Sequence, residues 1–376
     1  MATTPYLSYR MKQPKIVFLV VIALLPLVLV SCSLFGGASV SKGWAGTAFQ
    51  SGIIYVGTRD GRVWAINSST QSQSWNYTIN TAIYTTPIVD GDLVYVGTYS
   101  GQICALTIAG GAERWVYPRT GSIGAVVGGL VIANETIYIS SSDGSVYALD
   151  TTYGDLKWKS ERLADKLWTS PTVMGDTLYV STFDGHIYAL SAETGESLNW
   201  SFKSDAGFAS SPVIYEDVIY VGSFDRHLYA TEIGSNVSMW KFPQEKPAGN
   251  WFWASPIVND GIVYAGCLDG KLYAIEAKTG EKLWEFDAGS PIVSSPVLMD
   301  NLLIVGDESG TVYVFDLNAK IGDEAVPLKT ISIGAGVRST FCAQQGLVYI
   351  RGEDNQLYAV DIDKGEVSWK FSLSTE

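Results

Sequence analysis

The residues able to do chemistry in this 376-residue chain are few and scattered. There are four cysteines (Cys32, Cys104, Cys267, Cys342) and two histidines (His186, His227), and none stands beside another. A zinc site needs thiolates and imidazoles at short, paired spacings, and no such cluster is present. Nucleophile-elbow, phosphate-loop and His-Glu-x-x-His motifs are missing as well. The 38 acidic residues decide nothing, because the carboxylates of a glycosidase are paired in space and not along the chain. The sequence therefore predicts no catalytic residue, no metal and no cofactor. Its distinctive chemistry is aromatic, with 12 Trp, 21 Tyr and 13 Phe. High aromatic content with only 17% charged residues excludes a disordered chain. A net charge of -13 excludes nucleic acid as the natural partner, since phosphate binding needs a basic face.

Of the four thiols, Cys32 has a context of its own. Residues 16–30 form an apolar run preceded by Arg10, Lys12 and Lys15 and followed by Leu29-Val30-Ser31-Cys32. The run is shorter than the roughly 20 residues of a spanning helix and has the layout of a secretory signal. Its ending resembles the lipobox of bacterial lipoproteins. That resemblance implies a signal peptide over 1–31, lipidation of Cys32 and a linker over 32–43. Met11 opens a more ordinary signal than Met1 does. The leader holds three of the 25 basic residues and none of the acids, so the remainder carries a net charge of -16. Such a body is repelled by anionic headgroups, and the bilayer is expected to be a partner through acylated Cys32 only.

The elements that must position the aromatics are repeats. A Y-V-G…D-G…Y-A…W pattern recurs eight times, with turn positions at Gly61, Gly101, Gly144, Gly185, Arg226, Gly270, Gly310 and Asn355. Each unit reads as four short strands, A to D. Strand A follows Ser/Thr-Pro, B is the Y-V-G segment, C the Y-A-L-D segment and D the Trp segment. The Asp-Gly dipeptides supply the left-handed residue of a tight B–C hairpin. A unit of 40 to 45 residues with four strands cannot bury both faces of its sheet alone. Repetition around an axis solves this, so the fold class is all-β, an eight-bladed β-propeller spanning 44–371. The blade Trp residues read as packing between neighbours.

Residues AIEAKTGEKLW (274–284), ALSAETGESLNW (189–200), ALDTTYGDLKW (148–158) and AVDIDKGEVSW (359–369) resemble the PQQ-like repeat. With the lipobox, the chain is similar to the BamB-type lipoproteins of outer-membrane β-barrel assembly. The resemblance implies a non-catalytic scaffold on the periplasmic face or cell surface, with an envelope protein partner such as the barrel assembly machinery. The Leu-x-Leu-Arg stretch by which that family holds its partner is absent. Arg338 is its nearest echo, and Trp251-Phe252-Trp253 stands where the family has acids. PQQ-dependent dehydrogenases share the repeat, but the adjacent cysteine pair that many of them carry is missing here. A second functional reading is a lipid-anchored binding protein for carbohydrate or peptide.

The register locates a site for either reading. Four residues before the Pro column stand Ile83, Val126, Leu167, Phe208, Phe252, Ile292 and Val337, apolar throughout. One residue later the column varies and is rich in aromatics: Trp44, Tyr84, Trp168, Trp253, and Arg338 in the last repeat. Adjacent strand residues point opposite ways, so the first column is expected to pack and the second to face the axial funnel. The link 243–253, with two Pro and Trp251, Phe252 and Trp253, is expected to be an ordered contact loop. The candidate ligand or partner residues are therefore Trp44, Tyr84, Trp168, Trp251, Phe252, Trp253 and Arg338. The turn acids Asp60, Asp143, Asp184, Asp225, Asp269, Glu308 and Asp354 fall on the same face and read as turn formers.

Overall fold

The computed structural model describes residues 45–208, 210–319 and 324–374. The lipobox cysteine Cys32 and the first candidate, Trp44, lie outside these residues. The described chain forms eight antiparallel four-stranded sheets, each made of consecutive strands. In blade 1, strand A is Thr47–Gln50, B is Ile53–Gly57, C is Arg62–Asn67 and D is Ser72–Thr78. Blades 2 to 8 repeat this order, and blade 8 ends with its strand D at Glu366–Ser372. Strand A of blade 1 touches strand A of blade 8 as well as that of blade 2, closing the ring. The expected eight-bladed β-propeller is thus the fold, and among the described residues no sheet borrows a strand from the opposite end of the chain.

Burial follows from this stacking. Strand B of blade 2, LVYVG, is buried at every position, because both of its faces meet other blades. A strand covered on both sides reads as a continuous apolar run. Strand D is the outer one and keeps an exposed face, as in Ser72–Thr78.

The B–C hairpins explain their acids. Asp143 accepts hydrogen bonds from Ser145 N–H and, at 2.6 Å, from the Tyr147 hydroxyl. Asp269 does the same with Lys271 N–H and Tyr273, and Asp354 with Gln356 N–H and Tyr358. These carboxylates are folded back onto their own strand C and brace the turn. Blade 7 departs from the sequence reading. There Asp307 accepts from Ser309, Thr311 N–H and the Tyr313 hydroxyl, so Glu308 is not the bracing acid. Ser309 holds the Asp column in that hairpin, and Glu308 stands one residue earlier, released for another use.

Neighbouring blades are joined through single carbonyls. Trp115 Nε1 and the Tyr95 hydroxyl of blade 2 both donate to Thr151 O of blade 3, at 3.0 and 3.1 Å. Trp158 and Tyr138 share Ala192 O, and Trp240 and Tyr220 share Ala277 O. The glycine of the next blade's C–D turn lies directly against the same indole. A Cβ on Gly154 would stand 2.4 Å from Trp115 Cε3, and one on Gly195 the same distance from Trp158. The Gly of the C–D turn is therefore a contact residue: Gly111, Gly154, Gly195 and Gly280 each receive the Trp of the preceding blade.

Two measurements check this packing. Gly154 and Gly175 both have positive φ, 70° and 57°, but nothing lies within 4 Å of a Cβ on Gly175. Gly175→Ala is expected to cost about 1–2 kcal/mol for the left-handed backbone alone. Gly154→Ala should cost a further 1–3 kcal/mol or so for overpacking against Trp115, read as a larger fall in the urea midpoint. The second concerns alkaline pH. Burial, the largest cause, pushes the Tyr95, Tyr220 and Tyr264 phenols from 10.0 up to about 12. The folded state keeps these protons after the unfolded chain has lost them, so this contribution is intact below pH 10 and is lost as pH rises towards 12. The urea midpoint should fall steeply across that window, with the phenolate absorbance of these residues appearing together with unfolding and not before it.

Candidate functional site

The segment before each strand A runs along the axis, and its residues have fixed duties. The apolar column is fully buried: Ile83, Val126, Leu167, Phe208, Phe252, Ile292 and Val337 are all 0% exposed. Six of these residues, all but Phe252, bond through N–H to the first residue of the preceding blade's B–C turn, as in Ile83 to Thr58 O and Val337 to Asp307 O. Phe252 therefore leaves the candidate list. It packs against Phe242 and Tyr273 inside the blade 5–6 core and has no surface for a ligand. Tyr84, Trp168, Trp253 and Arg338, one residue further along, are only partly buried.

The next two positions hold the inner rim together with hydroxyls. Thr85, Ser210 and Ser294 each bond to the last residue of strand B in their own blade. The following residue reaches the neighbouring blade instead. Gly129 N–H donates to Ser170 Oγ, Ser170 N–H to Ser211 Oγ, Ser211 N–H to Ser255 Oγ and Ser255 N–H to Ser295 Oγ. A belt of serine hydroxyls thus runs from blade 3 to blade 7 where proline ends each inner ladder.

Above this belt lies a cavity of about 380 Å³, lined by the pre-A segments of blades 2 to 8. It brings together Tyr84, Trp168, Trp253 and Arg338, four of the candidates chosen by register. Trp251 stands at the rim, 39% exposed, beside a second space of about 290 Å³ that shares Trp253, Val293 and Arg338 with the first. The link carrying Trp251 is tied down by Ala248 N–H to Arg226 O, Gly249 N–H to Asp269 Oδ2 and Leu268 N–H to Trp251 O.

Sequence reasoning missed half of the site. In blades 2 to 8 the second residue of the B–C turn donates its N–H to the pre-A segment of its own blade, as Phe183 does to Lys166 O and Glu353 to Gly336 O. That bond sets the turn residue beside the variable column. Tyr99 meets Tyr84 edge to face at 5.4 Å, and Phe183 meets Trp168 at 4.6 Å. Phe224 lies 5.2 Å from Phe183, 5.1 Å from Trp251 and 5.8 Å from Trp253. The result is an aromatic arc over blades 4 to 6. The signal was present in the sequence as the residue before each turn Asp.

The opposite wall is charged. Arg338 is ion-paired through its Nη2 with Glu308 of the blade 7 turn, and its Nε lies 2.6 Å from Glu353 of the blade 8 turn. The second approach is off-line for a hydrogen bond and acts as a charge contact. One guanidinium is therefore held between two carboxylates from adjacent blades. Nearby, the Arg351 guanidinium is almost fully buried, and burial lowers it to about 10, against the pull of Asp60, Asp354 and Glu353.

The family model for the outer membrane protein assembly factor BamB matches residues 33–166, 142–285 and 238–325. The chain belongs to this family. Among solved structures, BamB from Moraxella catarrhalis is 20% identical with a TM-score of 0.66, covering 82% of this chain and 91% of that one. A computationally designed protein, Ika8, is 16% identical with a TM-score of 0.70, covering 84% and 95%. No curated protein sequence matches the chain. At these identities the two structures show the fold alone, and a fold shared by an assembly factor and a computational design transmits no activity by itself.

The charged wall can be tested by its own logic. Removing one partner of a buried ion pair strands the other charges. With all three side chains only partly buried, Arg338→Met is expected to lower stability by about 1–3 kcal/mol. Adding Glu308→Gln and Glu353→Gln should recover most of that loss in urea unfolding, because no uncompensated charge then remains.

Proposed function

We propose that this protein is a non-catalytic, lipid-anchored scaffold of the cell envelope that serves outer-membrane β-barrel assembly; the family description, outer membrane protein assembly factor, supports the assembly role. The observation that carries this reading is the family match, which begins at residue 33, directly after the lipobox cysteine. The geometry supports a scaffold. Eight self-contained sheets and an inner hydroxyl belt make a rigid ring, and the B–C face presents Trp251 from a link held at both ends. Exposed aromatics on a rigid loop are the common anchor of a protein interface. We assign the partner contact to this face and to Trp251.

The dehydrogenase reading has weaker support. The arginine lining the axial cavity is already engaged by Glu308 and Glu353, so it offers no unneutralised charge to the carboxylates of a quinone cofactor. The three cysteines of the propeller lie in different blades, with Cys104 and Cys267 buried as thiols. The residues present do not fit that group.

Crosslinking in native membranes followed by mass spectrometry tests the scaffold. The expected result is recovery of a barrel-assembly component with the wild type and its loss with Trp251→Ala. In parallel, Cys32→Ser should abolish fatty-acid labelling and move the protein to the soluble fraction. Recovery of no assembly component would sink the assembly role, and a Cys32→Ser variant that stays on membranes would sink the anchor.

A further inference from the structure

The axial cavity has a chemistry that a scaffold does not need. Trp168 does not pack like a blade Trp. Its Nε1 is buried without a hydrogen-bond partner, whereas Trp115, Trp158 and Trp240 each donate to a carbonyl. A buried N–H left unmatched costs stability, and natural proteins accept such costs mainly at sites. The belt serines have a second property. Ser170, Ser211, Ser255 and Ser295 all line the cavity and act there as acceptors of backbone N–H groups. A hydroxyl that accepts still has its own proton to donate. Among the described residues these four hydroxyls make no donation, so the floor of the cavity offers a row of O–H donors.

The walls narrow the ligand class. The aromatic arc of Trp168, Phe183, Phe224 and Trp253 offers ring faces and edges for stacking. Arg338 with Glu308 and Glu353 offers planar groups that both donate and accept hydrogen bonds. The arginine's charge is spent on the two carboxylates, which disfavours an acidic ligand, and both carboxylates are engaged by the arginine in turn, so neither is left as a counter-ion for a cationic one. An extended peptide would need free backbone groups on an inner sheet edge. Those N–H groups are already taken by the serine belt, and proline occupies the next position. The remaining class combines many hydroxyl acceptors, apolar C–H faces and no net charge.

We propose that the axial cavity binds a neutral oligosaccharide. A sugar ring stacks on the Trp168–Trp253 arc, its hydroxyl and ring oxygens accept from the serine belt, and its hydroxyl pairs engage Arg338 and Glu308. The main lobe, about 380 Å³, falls at the small end of ligand pockets, which run from roughly 300 to 1,000 Å³. The adjoining lobe of about 290 Å³ shares Trp253 and Arg338, so a second sugar unit continues past the same two side chains.

The test uses the full-length protein in a zwitterionic detergent that carries no sugar headgroup. Maltose, cellobiose and N,N′-diacetylchitobiose are titrated by calorimetry and examined by saturation-transfer NMR, with a short Thr/Val peptide as the competing class. The expected result is one-to-one binding of at least one disaccharide, with saturation transferred from aromatic protons to the sugar. Trp168→Leu and Trp253→Leu should each weaken binding by about tenfold or more, while Tyr153→Ala, at an exposed C–D turn, leaves it unchanged. The NMR result needs no variant, so a misfolded substitution does not decide the question. No binding of any of the three sugars at about 10 mM, or binding of the peptide alone, overturns the proposal. Sugar binding that survives both Trp substitutions overturns the site. Because no protein partner enters these measurements, their outcome is independent of the scaffold reading.

Discussion

The carbonyl that receives both the Trp and the Tyr of the preceding blade is the interaction on which the rest of this structure depends. It places two donors from one sheet on one acceptor of the next, over a glycine that lets the indole lie against backbone. A sheet joined to its neighbour this way has its tilt fixed at the outer edge. The hydroxyl belt fixes the inner edge. Between these two attachments, the buried residues of strands B and C have little choice of register. The fully buried pre-A column follows, and the residue beside it is turned to the axis. The cavity is a consequence of wedges clamped at both ends.

Much of this was legible because the repeats share their contact motifs, the Gly–Trp contact of four C–D turns among them. The Gly-x-x-x-Trp spacing, the Ser/Thr-Pro before strand A and the Asp-Gly turns are local motifs repeated in phase, so aligning them also aligned the columns that face the axis. Tyr84, Trp168, Trp253 and Arg338 could be chosen from that register, and the structure brings them around one cavity. Phe252 illustrates the limit. An aromatic between two others in a loop looks like a contact residue, but it holds the packed column and is fully buried.

The turn residues Tyr99, Phe183, Phe224, Glu308 and Glu353 were harder for a physical reason. They lie about fifteen residues after the pre-A segment they touch, and the bond that joins them is between backbones, which leaves no mark on residue type. Blade 7 hid its meaning further. Asp307 took over the bracing of the hairpin, so the neighbouring Glu308 was counted with the turn acids although it belongs to Arg338. Blade 8 breaks another rule. The last residue of strand B is glycine in blades 1, 2, 5, 6 and 7, where a Cβ would collide with the following blade, but it is Arg351 here. A buried guanidinium surrounded by Asp60, Asp354 and Glu353 therefore sits where blade 8 comes round to blade 1.

That seam differs from the others in kind. Blade 1 meets blade 8 through Thr47 Oγ1 on Tyr349 O, the stacking of Phe49 on Tyr349 and a cluster including Trp64, Leu357 and Trp369. Among the described residues no strand crosses it. In topological terms the described residues form a linear array bent until its ends touch, without, among them, the woven latch that commits a ring to a fixed membership. A duplicated or deleted repeat of some forty residues leaves every remaining sheet complete and asks only that the wedge angle readjust. The number of blades is therefore a quantity that whole-repeat events can change, while the shared contact motifs stay as they are.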